Sequence, residues 1–173
     1  MLPYIDGHCE FVTMDGIKHT IDEKWDLLIA HPPCQYLTNS GNPYLSVEKY
    51  GQKAIERKQK QLEAFEFFMA FAHANCDKIC IENPIGYVNS HYRKPDQIIH
   101  PWMFGHPFTK GTCFWLKGLD KLKATVDKKP EDCKSFAIQT NIDENGKTIS
   151  WNSEKNRKIR SKTFEGVAQA MAD

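Results

Sequence analysis

Residues 25–34 of the chain are WDLLIAHPPC, and residues 77–84 are DKICIENP. Each stretch is a short apolar run that ends at a proline, which is typical of a buried strand in a parallel sheet. Between them, apolar residues recur every three or four positions from about residue 48 to residue 74, which predicts one amphipathic helix. A strand, a long helix and a strand in this order predict a right-handed βαβ unit and therefore an α/β fold.

The remaining sequence predicts shorter elements around this unit. Residues 1–24 predict a hairpin around Met14-Asp15-Gly16, and residues 112–116 predict a third strand. Residues 85–111 are rich in proline, glycine and histidine, which indicates a long ordered loop. A hairpin turn is expected at Asp143–Gly146 and a short helix from Thr163 to Ala172.

Length and composition indicate one globular domain over residues 1–173. We expect residues 1–24 to be an N-terminal extension, residues 117–150 a variable insertion, and residues 151–173 a basic segment with a C-terminal helix. The chain has 23 basic and 22 acidic residues, so its net charge of +1 neither requires nor excludes a nucleic-acid partner. No apolar run approaches the roughly 20 residues that a membrane span needs.

The six cysteines are scattered and include no CxxC pair, so we expect no structural zinc site. The N-terminus has neither the basic start nor the apolar core of a signal peptide. We therefore expect reduced thiols, a cytoplasmic protein and no membrane partner.

Two chemical groups follow the predicted parallel strands, where ligands bind in open α/β sheets. Cys34 lies at a rigid proline turn, which suits a thiol for nucleophilic attack. Glu82 lies near the end of the second strand, where a carboxylic acid can deliver a proton to a ring nitrogen. Taken singly, Cys34 is typical of a small buried apolar residue and Glu82 of a solvated strand end. Their shared edge favours a functional site.

These motifs resemble a known family. AHPPCQYLT at residues 30–38 resembles the Pro-Cys-Gln catalytic loop of cytosine-C5 DNA methyltransferases, and IENP at residues 81–84 resembles their Glu-Asn element. Nearly the whole chain resembles a small phage-type branch of cytosine methyltransferase-like proteins. That wider resemblance is carried by residues 91–97, 101–102, 104–105, 108–110 and 160–164.

The resemblance implies a partial Rossmann-like sheet of the class I methyltransferase type, with flanking helices. It implies that Cys34 adds to C6 of cytosine and that Glu82 binds and protonates N3. C5 would then take a methyl group from S-adenosylmethionine. In duplex DNA the base must also be flipped out of the stack. The resemblance places Pro32, Pro33 and Asn83 beside the cofactor.

The family's third element is Gly-x-Pro-Gln-x-Arg-x-Arg, whereas residues 105–112 here are GHPFTKGT. Lys110 replaces the first arginine and is expected to hold the cytosine carbonyl oxygen, with Arg93 as a rival. The basic run 155–162 is either a phosphate path for DNA or a solvated face. The full set of expected substrate contacts is Gln35, Asn83, Lys110, Arg157, Arg160 and Lys162.

The family opens with a strand, a glycine-rich turn and a second strand ending in an acid, but this chain has no Gly-x-Gly. We therefore expect the first strands of the sheet to be missing. The missing unit would lie upstream or come from another chain, and either a second chain or self-association would complete the sheet. Otherwise the protein is a non-catalytic module that binds nucleic acid, a nucleotide or a partner.

A further alternative is an amino-methyltransferase, whose loop is Asn/Asp-Pro-Pro followed by an aromatic residue. The sequence His31-Pro32-Pro33-Cys34 shares the two prolines with that loop. It lacks the aromatic residue that would stack on the base, and Gln35 fits the cytosine-C5 pattern better.

Overall fold

The computed structural model describes residues 4–5, 8–12, 16, 18–21, 23–139, 146–150 and 153–173. These residues form a mixed α/β structure that contains a small mixed sheet and flanking helices. They group into two compact units, where the sequence predicts one domain. Unit 1 comprises Met1–Gln97 with Thr112–Lys121, and unit 2 comprises Ile98–Gly111 with Leu122–Asp173. None of the described helices is long and apolar enough to cross a membrane.

A small antiparallel sheet is formed near the N-terminus by β1 (Tyr4–Ile5), β2 (His8–Val12) and β3 (Lys18–Thr20). Strands β2 and β3 pair with Phe11 opposite His19, which confirms the predicted hairpin. Its turn residues Met14 and Asp15 lie outside the described residues. This sheet is separate from the main one.

The main sheet contains β4 (Leu28–Ala30), β5 (Ile79–Pro84), β6 (Gln97–Ile99) and β8 (Thr112–Lys117), in the order β4-β5-β8-β6. Strands β4 and β5 are parallel, and β5 and β8 are antiparallel. The three predicted strands are thus confirmed. Strand β4 begins later than its apolar run, at Leu28; Leu27, just before it, is exposed.

The connection between β4 and β5 is helical, as the βαβ prediction requires. A 3₁₀ helix over Asn39–Leu45 precedes α1 (Val47–Tyr50) and α2 (Gln52–Ala72). The prediction of one unbroken helix is wrong, because Gly51 has a φ of 53°, a left-handed value that suits glycine. The Ser46 side chain caps α1 by accepting a hydrogen bond from the Lys49 backbone N–H.

The core of unit 1 lies between α2 and one face of the sheet. Phe68 is completely buried, and its ring centroid lies 5.1 Å from that of Trp115 in an edge-to-face arrangement. Ile79 and Ile81 are buried in the same cluster. Because side chains alternate along a strand, Glu82 is on the opposite face from these isoleucines. The core therefore fixes the position of the strand that carries Glu82.

The prediction of a long loop over residues 85–111 is wrong. This segment contains α3 (Tyr87–His91), β6, a 3₁₀ helix over Pro101–Phe104 and β7 (Phe108–Thr109). Each of these elements has only two to five residues. That length is too short for a hydrophobic period to be visible in the sequence.

Unit 2 is organised around aromatic side chains and short helices. Strand β7 is parallel to β9 (Lys134–Ser135), and the helices are α4 (Phe136–Gln139), α5 (Glu154–Ser161) and α6 (Glu165–Ala172). The ring centroids of Phe108, Phe136 and Phe164 lie 4.9–6.0 Å apart. Helix α6 confirms the predicted C-terminal helix. Of the predicted turn at Asp143–Gly146, only Gly146 is among the described residues.

Candidate active site

The carboxyl ends of β4 and β5 lie at the same edge of the sheet, as predicted. The parallel register pairs Ala30 with Ile81. The next residues are His31, just after β4, and Glu82, within β5. The two sequence motifs therefore meet where α/β sheets place their ligands.

Glu82 is hydrogen-bonded to His31, a residue to which the sequence analysis gave no role. His31 Nδ1 lies 3.0 Å from Glu82 Oε2, and the side chains are 44% and 25% exposed. One proton can be shared at this distance, and the imidazole can donate it when it is charged. The sequence indicates only that both residues lie near the carboxyl ends of two predicted strands. The register that places them side by side is given by the structure.

Burial and the Glu82 carboxylate raise the pKa values of two thiols in the sheet, Cys80 on β5 and Cys113 on β8. Burial raises the pKa of Cys80 to about 12, with a smaller contribution from Glu82. Burial also raises the pKa of Cys113; Glu82 adds to this and a hydrogen bond from Asn89 opposes it. Both thiols are thus protonated and inert near neutral pH. Cys34, by contrast, is exposed and is not in a disulfide.

Asn83 clamps the proline turn to β5. Its side chain is completely buried, and Nδ2 donates a hydrogen bond of 3.0 Å to the Pro32 carbonyl. Its Oδ1 has no hydrogen-bond partner among the described residues. Of the residues predicted to contact the cofactor, Pro32 and Asn83 are buried against each other, and Pro33 is exposed.

The segment that carries the thiol, residues 31–38, is termed the Cys34 loop. The Cys34 carbonyl accepts hydrogen bonds from the backbone N–H groups of Leu37 (3.0 Å) and Thr38 (3.1 Å). The Leu37 side chain is buried, and the Leu37 backbone carbonyl accepts a hydrogen bond from the Tyr87 backbone N–H. A Cβ at Gly86 would overlap that same carbonyl oxygen, so the chain packs closely here. The loop backbone is therefore fixed while the Cys34 side chain is exposed.

Helix α2 holds the same loop through two side chains that the sequence analysis did not identify. Arg57 Nη2 donates to the Gln35 carbonyl at 3.2 Å, and Gln61 Nε2 donates to the Tyr36 carbonyl at 2.9 Å. Gln61 was detectable, since it is a polar residue seven positions before the buried Phe68 on the core-facing side of α2. The Gln35 side chain, predicted to contact substrate, is exposed.

Arg93, the rival for the cytosine carbonyl oxygen, makes contacts within unit 1. Its Nη1 forms an ion pair with Asp96 at 2.7 Å, and its Nη2 donates to the Leu116 carbonyl at 3.1 Å. The guanidinium also lies over the Tyr92 ring, 5.4 Å from its centroid. These contacts attach the chain before β6 to β8.

Lys110 and the basic run belong to unit 2, whereas Cys34 and Glu82 belong to unit 1. Lys110 Nζ donates to the Arg160 carbonyl at 2.9 Å, near the end of α5, and lies 5.9 Å from the Phe136 ring centroid. Lys162 follows α5 and is exposed. The side chain of Arg157 is not among those described.

No family model, no curated protein and no solved structure matches the chain. No three histidine, cysteine or acidic side chains in the described part of the chain are grouped as metal ligands. The chemical interpretation of the site depends on its geometry. An exposed thiol on a fixed loop and a carboxyl group with a histidine partner are the components of nucleophilic and acid catalysis.

Proposed function

We propose that this protein is a cytosine-C5 DNA methyltransferase-like protein in which Cys34 is the nucleophile and Glu82 the acid. One observation carries the proposal: an exposed thiol on the loop after β4 and a carboxyl group within β5 lie towards the same carboxyl edge of two neighbouring parallel strands. The crossover through α2 supports a Rossmann-like fold, because parallel strands joined by a helix are its repeating unit.

In the proposed chemistry, the Cys34 thiolate forms a bond to C6 of cytosine. The C5=C6 electron pair becomes a C4=C5 double bond, and the C4=N3 electron pair moves to N3. Glu82 gives its proton to N3, and His31 can supply that proton through the 3.0 Å contact. The product is an enamine with a nucleophilic C5. When C5 takes up a proton and loses one to solvent, the steps reverse and Cys34 is released.

The described residues do not fit the expected methyl donor, S-adenosylmethionine. Strand β4 is at the end of the strand order, so the described sheet has no strand beyond it to carry a glycine-rich turn. Pro32 and Asn83, which were expected to contact the methyl donor, are hydrogen-bonded to each other. The role proposed for this chain is therefore the activation of the base alone. Calorimetric titration with S-adenosylmethionine should show no saturable binding to this chain alone, and one-site binding would contradict this assignment.

The base-activation step is tested without any methyl donor. In D₂O, each cycle of addition and release exchanges the C5 hydrogen of cytosine for deuterium, which adds about one mass unit to a DNA strand containing a single cytosine. We expect exchange with the wild type and none with Cys34→Ser. Glu82→Gln should slow it by about 10²- to 10⁴-fold, the usual contribution of a general acid.

Cys133→Ser is the matched control for the loss of a thiol, because Cys133 is a partly exposed cysteine in unit 2. It should exchange at the wild-type rate. The proposal is refuted if the wild type catalyses no exchange, or if Cys34→Ser retains it.

The second candidate function is a non-catalytic module that binds DNA, a nucleotide or a partner chain. It is favoured by the contacts of Arg93 and Lys110, because both residues expected to hold the cytosine carbonyl oxygen donate to protein carbonyls instead. Strand β4 also has an exposed apolar residue, Ile29, which a second chain would cover. This candidate predicts DNA binding or self-association with no C5 exchange. Analytical ultracentrifugation and the exchange assay together separate the two functions.

A further inference from the structure

Unit 1 contains an open pocket of about 280 Å³ beside the Cys34 loop. The rings of Tyr44 and Tyr50 lie 5.6 Å apart in a tilted arrangement, and Tyr44 is 53% exposed. The pocket therefore presents aromatic surface to solvent. Its lining residues are Tyr36, Tyr44, Tyr50, Lys53, Glu56, Arg57 and Lys60.

Three cationic side chains line the pocket together with the tyrosine rings. The Arg57 guanidinium lies 5.2 Å from the Tyr36 ring centroid and 5.6 Å from that of Tyr44, which places it between two rings. Lys53 and Lys60 are exposed and lie seven residues apart on α2, so they share one face of the helix. Neither lysine forms a salt bridge with any residue that the structure describes. The lining has three cations and one carboxylate, so it favours an anionic ligand.

Aromatic faces beside cationic side chains are the elements that bind unpaired nucleotides, because bases stack on the rings and phosphates contact the cations. The volume lies just below the roughly 300–1,000 Å³ of small-molecule pockets, which suits one nucleotide rather than a long segment. We propose that this pocket, which we term the tyrosine pocket, binds one unstacked nucleotide of single-stranded DNA.

The pocket is linked to the candidate nucleophile through the loop backbone. Tyr36 is two residues after Cys34, and two residues span at most about 7 Å. Arg57, which lines the pocket, also donates to the Gln35 carbonyl. The bound nucleotide therefore flanks the target cytosine. This inference deepens the proposed function by naming its substrate as a strand with unpaired bases, since enzymes that modify bases act on single strands or flipped nucleotides.

Binding is tested by fluorescence anisotropy with a labelled DNA strand of eight thymidine nucleotides, which contains no cytosine. Tyr44→Ala should weaken binding by about tenfold or more, the size of one base–aromatic stack, and Tyr44→Trp should restore it. In Lys53→Ala/Lys60→Ala, the slope of log K against log salt concentration should fall by about 1.4, because each single-strand phosphate contact contributes about 0.7. Lys58→Ala is the matched control and should change neither quantity, since Lys58 is an exposed lysine of α2 outside the pocket.

The inference is overturned if the wild type does not bind the strand, if Tyr44→Ala and the double lysine variant bind as the wild type does, or if a duplex of the same length binds more tightly. Circular dichroism of each variant excludes unfolding as the cause of a loss. Cys34→Ser should bind the thymidine strand normally. If the protein binds the strand but catalyses no C5 exchange, only the proposed function is refuted. If it catalyses C5 exchange at the same rate in the wild type and in the pocket variants, only this inference is refuted.

Discussion

Alkylation of the folded protein should distinguish Cys34 sharply from the strand cysteines. With its pKa at about 12, only about one Cys80 side chain in 10⁴ is a thiolate at pH 8, compared with about one in ten at the ordinary value of 9.0. Because the thiolate is the nucleophile, Cys80 should react about 1,000-fold more slowly than an ordinary thiol, and its burial slows it further. Cys34, which is exposed, should be labelled before the buried thiols of Cys76, Cys80 and Cys113.

The assay is a time course with iodoacetamide at pH 8, quantified for each cysteine by peptide mass spectrometry. Denaturation in urea should abolish the difference between Cys34 and Cys80, which controls for intrinsic peptide effects. Glu82→Gln should leave Cys80 protected, because burial is the larger cause of its raised pKa. Labelling of Cys80 at the rate of Cys34 in the folded wild type would refute the account of the site.

Three further predictions concern stability. Phe68→Ala should cost about 3–5 kcal/mol in urea unfolding, since Phe68 is completely buried, whereas Leu62→Ala, on the exposed side of α2, should cost much less. Gly86→Ala should cost about 1–3 kcal/mol, because its Cβ would overlap a backbone carbonyl of the Cys34 loop; an unchanged midpoint would contradict this packing. Burial, with a smaller contribution from a nearby lysine, lowers the pKa of His100 below 6.5, so the unfolded state binds more protons and stability should fall as the pH drops below 6.5; His100→Gln should weaken that dependence.

The elements with a long or strong hydrophobic pattern were predictable from the sequence. The βαβ unit over β4, α2 and β5 was predicted because 21 helical residues between two apolar runs leave a clear period. The break at Gly51 was missed, since a single glycine is tolerated inside many helices. The elements within residues 85–111 were missed because they have no hydrophobic period. Backbone and side-chain contacts stabilise them, such as the hydrogen bond that the Leu116 backbone N–H donates to the Asp96 carboxylate.

The candidate site was predictable in its strand-end residues but not in its supporting contacts. Cys34 and Glu82 were identified because the ends of parallel strands converge, which is a property of topology. The bond of Arg57 to the loop backbone depends on how α2 lies against the loop, and no spacing along the chain encodes that. The tyrosine pocket was missed for the same reason, since Tyr36, Tyr44 and Tyr50 come from three different elements.

The proposed function requires Cys34 to form a covalent bond to the cytosine ring. The most direct test is the intact mass of the protein after incubation with a DNA strand in which 5-azacytosine replaces its single cytosine, because the ring nitrogen at position 5 makes C6 more electrophilic. We expect a species with the summed mass of chain and strand, with the attachment mapped to Cys34 and absent from Cys34→Ser. Only unmodified protein, or an adduct at another cysteine, would contradict it.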